Sequence, residues 1–274
     1  MPEAMVLDLT ARPQSARSML AAFWRSRDLA FSLARRDFFS RYRRTSLGAI
    51  WAIAMPLMQA GVMALVFTRV ARLSLPGNAF VFTYAGMAGW SFFASGIGTS
   101  STAIVDNSSL ASRIYFPRLV LPLVSVLSGV YLLIFNFLLL LVVAFATGTD
   151  LSVYVLLVPL GMCMALLTTV LAAAVLAGIH VYFRDTKYLV QAILLLAVYV
   201  TPSFYPLTRA PSKLRIFAEL NPMTGPIELT RRGIGMSDPN WLTTVGINAI
   251  WVVAMLVAAV WIYRRFDRLF SDLM

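Results

Sequence analysis

Residues 119–148 read LVLPLVSVLSGVYLLIFNFLLLLVVAFATG, and residues 151–179 read LSVYVLLVPLGMCMALLTTVLAAAVLAGI. Neither run holds an ionised side chain, and only Thr149 and Asp150 separate them. Crossing a bilayer as one helix takes about 20 apolar residues, so each run is long enough. The short join at residues 147–151 predicts an antiparallel hairpin. Pro122 and Pro159 sit near the two starts, where proline is best tolerated. A soluble chain of 274 residues could not bury so much apolar helix surface. The fold class is therefore an all-α membrane protein, and its function lies in how its spanning helices are arranged.

Working outward, further apolar blocks occupy residues 47–70, 80–103, 188–205 and 242–263, giving six transmembrane helices. Pro56 lies inside the first block and is expected to kink it. Pro76-Gly77-Asn78 marks a short outer turn. The second block contains Tyr84, Trp90, Phe92 and Phe93 among Gly86, Gly89, Gly96 and Gly98. Small residues allow close helix packing, and the aromatic group either packs against neighbours or lines a path. Pro202 and Pro206 stop the fifth block as a continuous helix. Pro211, Pro222, Gly225, Pro226, Gly233 and Gly235 then break residues 207–241. Two short helices are expected there, over 212–220 and 225–232, meeting at Asn221-Pro222. They are re-entrant from the outer side or lie on it. Irregular backbone near a membrane needs protein or water around it, so this region should pack against a pore or cavity.

Residues 1–16 read as a tail. Over residues 17–40, Leu20, Phe23, Trp24, Phe31, Ala34 and Phe38 recur at helical spacing, with Arg25, Arg35 and Arg36 on the other flank. That pattern predicts an amphipathic helix lying on the membrane surface; an ordinary packed helix of a soluble cap is the alternative. Residues 41–274 form the membrane domain. The net charge of +11 would suggest nucleic acid on a soluble chain. In a membrane protein it reads as the bias of cytoplasmic segments toward Lys and Arg. Residues 1–46 hold nine arginines against four acidic residues, so both termini are expected in the cytoplasm. Residues 208–241 are basic too, so the charge asymmetry rests mainly on the N-terminal cluster. No secretory signal pattern opens the sequence, and the first span is expected to act as the insertion signal.

Catalytic chemistry finds little footing. Cys163 lies inside an apolar block and suggests packing. His180, in the turn after the fourth block, makes no convincing metal site with it. No Walker loop or nucleophile–base arrangement occurs, and Gly233-Ile-Gly235 lacks the glycines and βαβ context of a dinucleotide loop.

Specific strings carry more than hydropathy. Residues 35–52 read RRDFFSRYRRTSLGAIWA, and are followed in order by YAGMAGWSFF from Tyr84, IYFPRLVLP from Ile114, VYFRDTKY from Val181, PSFYP from Pro202 and LNPM from Leu220. Together they resemble the type-2 ABC exporter permeases, most closely those that export lipid-linked polysaccharide, including O-antigen, capsule and teichoic acid permeases. The resemblance runs from about Leu29 onward. It implies a homodimer of permeases in the bacterial inner membrane, with two copies of a nucleotide-binding ATPase subunit. ATP and Mg would act in that partner, with no cofactor or catalytic site in this chain. The glycan would pass between the two permease copies.

The resemblance also implies roles. Trp24, Phe31, Arg35 and Phe38 look like the family's interface helix. Asp106 to Tyr115 looks like a coupling helix, with Asp106, Asn107, Arg113 and Tyr115 as candidates; a mere turn is the alternative. Arg184 and Asp185 in the loop 180–188 offer a second contact. Residues 203–232 look like the outer helices that cap the channel mouth. Sugar rings have apolar faces on which aromatic side chains can stack, so Tyr84, Trp90, Phe92, Phe93, Tyr199, Phe204 and Tyr205 are substrate-path candidates. Arg209, Lys213, Arg215, Arg231 and Arg232 could attract a carrier diphosphate, acidic sugars or headgroups; surface solvation explains them equally well. The expected function is permease for a lipid-linked polysaccharide, O-antigen foremost. A type-2 ABC exporter permease for a drug or small lipid is the first alternative, and a non-transporting membrane scaffold is the second.

Overall fold

In a computed structural model that describes residues 27–42, 48, 50–107, 119–149 and 151–266, every regular element is helical. Helix α1 covers Arg27–Tyr42, α2 Ile50–Leu65 and α3 Ala79–Ser100. A π-helical turn, Val66–Val70, extends α2. The short α4 covers Ala103–Asp106, and α5 and α6 cover Val120–Leu127 and Val130–Ala146. Helix α7 covers Leu157–Tyr182, α8 Thr186–Val200, α9 Ser212–Leu220, α10 Thr224–Gly233 and α11 Trp241–Phe266.

Among the described residues, four stretches are long and apolar enough to cross a membrane: Ile53–Val70, Val120–Ala146, Val153–Tyr182 and Trp241–Arg264. Helix α8 is apolar but shorter. Helix α3 is long but carries Gly, Ser, Thr, Tyr and Trp, and it is buried along most of its length. It needs less apolar character because protein covers it. Asn78 caps its start, accepting from the backbone N–H of Phe80 and Val81 at 3.0 and 3.3 Å.

Several expectations are corrected. The span expected at 119–146 is present as Val120–Ala146, with an interruption in its hydrogen-bond ladder. The interruption falls at Ser128–Gly129, where the Gly129 N–H turns back to Val126 O at 2.9 Å. A Ser/Gly pair is a common seat of such a break, and a Cβ on Gly129 would stand 3.3 Å from the Phe92 ring. Cys163 does not pack inside the chain; it is exposed on the outward face of α7. His180 is not in a turn. It is buried in the last turn of α7.

The two short helices form as the prolines suggest, but α10 is buried almost throughout, packed against α3, α7 and α11. Its backbone lies so close to α7 that a Cβ on Gly161 would collide with Thr230. On its other side, a Cβ on Gly225 would sit 2.6 Å from Thr244 O of α11. The irregular backbone around α10 finds its partners in side chains. Asn248 Nδ2 donates to Pro222 O at 2.6 Å, Trp251 Nε1 to Leu220 O at 2.7 Å and Thr224 Oγ1 to Ala218 O at 2.5 Å. Tyr205 donates from its hydroxyl to Val200 O at 2.8 Å, closing the end of α8. Orphaned carbonyls in an apolar setting are costly, so these side chains are what permit the chain to break there.

Two clusters make the core. The larger joins α3, α6, α7 and α10 through residues such as Phe82, Tyr84, Leu133, Phe137 and Ile227. The smaller gathers at the opposite end, where Ala30 and Ala34 of α1 meet α4, α5 and the ends of α7 and α11.

Candidate functional site

Helices α2, α3, α5, α6 and α8 enclose an open groove of about 660 Å³. It follows α3 from Met87 to Thr99, a length of roughly 18 Å at the rise of an α-helix. Pro56 of α2 lies in its wall, and Phe38 of α1 reaches its edge.

Four of the seven aromatic candidates line this groove: Trp90, Phe92, Tyr199 and Phe204. The other three stand behind it. Phe93 supports Trp90, their ring centres 5.6 Å apart. Tyr84 is fully buried and donates its hydroxyl to Asn136 Oδ1 at 2.9 Å; Asn136 itself lines the groove and donates to Leu132 O. Tyr205 caps α8 and so fixes the neighbouring Tyr199 and Phe204, whose ring centres are 6.5 Å apart.

The polar part of the wall was not singled out from sequence. Ser91, Ser95 and Thr99 form one stripe along α3, faced by Ser125 and Ser128. Their spacing of four residues is a helical signal, yet it is also the signal of small residues packed between helices, and sequence alone does not separate the two. Hydroxyls beside aromatic faces give the groove both hydrogen-bonding and stacking surfaces.

The basic residues near the outer helices are mostly engaged. Arg231 is fully buried. Its guanidinium pairs with Glu228 at 2.9 Å, and donates to Pro202 O at 2.6 Å and Ser203 O at 2.9 Å. It is therefore withdrawn from headgroups and cargo, which corrects its reading as an outer-surface charge. Arg232 lies over the Tyr154 ring at 4.5 Å, Arg209 reaches Ser74, and Arg215 pairs with Glu219 at 2.7 Å.

At the other end, Asp106 closes α4 and Asn107 donates back to Ala103 O at 2.9 Å. Arg113 and Tyr115 lie outside the described residues, as does Trp24. Arg184 and Asp185 are exposed in the turn between α7 and α8. On α1, small Ala30 and Ala34 face the body while Phe31, Arg35 and Phe39 face outward, with Arg35 5.9 Å from the Phe39 ring centre. Among the described residues no cluster of His, Cys, Asp or Glu could hold a metal ion.

The family described as ABC-2 type transporter matches residues 28–234. The O-antigen export system permease protein RfbA of Myxococcus xanthus is 31% identical over 207 residues, covering 75% of this chain and 79% of that protein. A protein of the same name from Klebsiella pneumoniae is 25% identical over 248 residues, covering 90% of this chain and 95% of its own. The chain belongs to the ABC-2 type transporter family.

Proposed function

We propose that this member of the ABC-2 type transporter family is the permease subunit of an exporter for lipid-linked polysaccharide of the O-antigen type. The observation that carries the reading is the groove. Trp90, Phe92, Tyr199 and Phe204 line the same groove as Ser91, Ser95 and Thr99. Stacking faces suit sugar rings, hydroxyls suit their polar edges, and neither grips so tightly that a polymer could not slide. The related permeases named for O-antigen export favour this cargo over a drug or small lipid.

On this reading six helices span the inner membrane, α2, α3, the α5–α6 pair, α7, α8 and α11, with both termini in the cytoplasm. Helices α9 and α10 dip back from the outer side. A second copy of the chain completes the path opposite the groove. Two separate ATPase subunits, holding ATP and Mg, bind beneath residues 106–115 and the α7–α8 turn. Helix α1 rests on the membrane surface beside them.

Deletion of the gene tests the reading. Surface polysaccharide should disappear while lipid-linked glycan accumulates inside the cell, and the intact gene should restore export. Normal surface glycan in the deletion strain would overturn it, as would a partner ATPase that is stimulated only by small lipids or drugs.

A further inference from the structure

The groove walls hold no Arg, Lys, Asp or Glu among the described residues. This holds for a groove about 18 Å long that runs beside spanning helices in a chain of net charge +11. Arg36 and Asp37 of α1 line a separate small pocket that meets the groove only at Ser125, and the charges of α10 are engaged elsewhere. Arg231 and Glu228 neutralise one another inside the protein, and neither is open to a ligand. Arg232 is held over Tyr154 and Trp241.

What the groove offers instead is neutral. Ser91, Ser95 and Thr99 are about 6 Å apart along one face of α3. Ser91 and Ser95 form no side-chain hydrogen bond within the described chain, so both their donors and acceptors remain open to a ligand. Thr99 spends its proton on Ser95 O at 2.9 Å and keeps its oxygen as an acceptor. A hydroxyl-bearing sugar can satisfy all three. A carboxylate can only accept, would find no cation, and would lose its hydration on entering.

We propose that the glycan this groove carries is neutral, a polymer whose sugars bear no carboxylate, phosphate or other ionised group. The inference rests on the polysaccharide-export reading and narrows it. The diphosphate of a lipid carrier is outside its scope, since one end group need not travel the groove as each sugar must.

The test uses the permease with its ATPase partner, reconstituted in vesicles. Two probes are compared: a polyprenyl-diphosphate-linked mannose polymer, and the same lipid bearing a polymer that alternates mannose with glucuronic acid. The neutral probe should be translocated at least about tenfold faster, because each acidic sugar must shed its hydration without a partner. Ser95→Lys should narrow that ratio by admitting the acidic polymer, and Thr99→Lys serves as the second variant should the first fail to accumulate. Equal rates for the two probes in the unaltered protein would overturn the neutral-cargo inference and leave polysaccharide export standing. Failure of both probes to be moved or to stimulate ATP hydrolysis would overturn the export reading and the inference with it.

Discussion

The guanidinium of Arg231 lies 3.7 Å from the centre of the Phe82 ring, joining α10 to the start of α3 deep within the protein. The same guanidinium pairs with Glu228, whose second carboxylate oxygen accepts from the Asp238 N–H at 2.7 Å. One ion pair thus ties α3, the broken segment at Pro202–Ser203, α10 and the loop before α11. A Cβ on Gly86 would collide with Ser203 O and crowd the guanidinium, so glycine makes room for the whole junction.

Arg231→Met should be strongly destabilising, by about 3–5 kcal/mol, because Glu228 is left buried and unpaired. Replacing both partners, as Glu228→Met with Arg231→Met, should cost less than Arg231→Met alone, since neither charge of the pair is left without the other. Thermal unfolding of the purified permease in detergent, read beside membrane abundance, checks the order of the two. A double variant that is worse than the single one would show that the carbonyl contacts to Pro202 and Ser203 matter more than the charge.

The topology is open to cysteine labelling, and the structure decides which positions to use. Gly77 is a poor choice, because its φ of +57° and the nearby Met236 side chain oppose any side chain there. Thr186 is buried and would resist reagent from either side. Cysteine at Ser74 or Thr147 should be labelled from outside the cell, and cysteine at Arg184 only after the cytoplasmic face is opened. Cys163 should first become Ser. It faces outward from a spanning helix, so that change should leave abundance and export intact.

How much of this was legible beforehand depends on what the residues report. The apolar runs announced four helices of membrane-spanning length among the described residues, because length and composition alone decide whether a segment can cross a bilayer. The prolines and Asn221 announced α9 and α10. The interruption at Ser128–Gly129 lies inside an otherwise unbroken apolar run, where hydropathy carries no trace of it. Arg231 and Glu228 are three residues apart and could be read as a pair, but their burial depends on glycines at positions 86, 161 and 225. The aromatic half of the groove was visible as residue type. Its polar half was not, and neither was the bond from Tyr84 to Asn136, 52 positions away.

Coupling to the ATPase gives a further prediction. Changing Arg113 and Tyr115 together should lower export more than it lowers permease abundance, because both belong to the sequence segment 106–115 proposed to receive the partner's motion. Copurification with the ATPase, its hydrolysis rate and export are measured on the same membranes. Full copurification with full export and hydrolysis would move the coupling contact to the α7–α8 turn, where Arg184→Ala with Asp185→Ala becomes the next pair to examine.

Trp90 separates stacking from simple packing. It is only 4% exposed, yet it stands in the groove wall and rests on Phe93. Trp90→Ala removes a large buried side chain and should cost about 3–5 kcal/mol, so abundance will fall with it. Export must therefore be expressed per folded permease. On that scale Trp90→Ala should fall several-fold, while Trp90→Phe, which keeps a ring face for a sugar, should stay within about twofold of the unaltered protein. Phe93→Leu is the control, since that ring lies behind the wall. It should lower stability while sparing export per folded permease. If Trp90→Ala and Phe93→Leu lose export only in proportion to abundance, Trp90 is a packing residue and the stacking surface must be sought at Phe92, Tyr199 and Phe204.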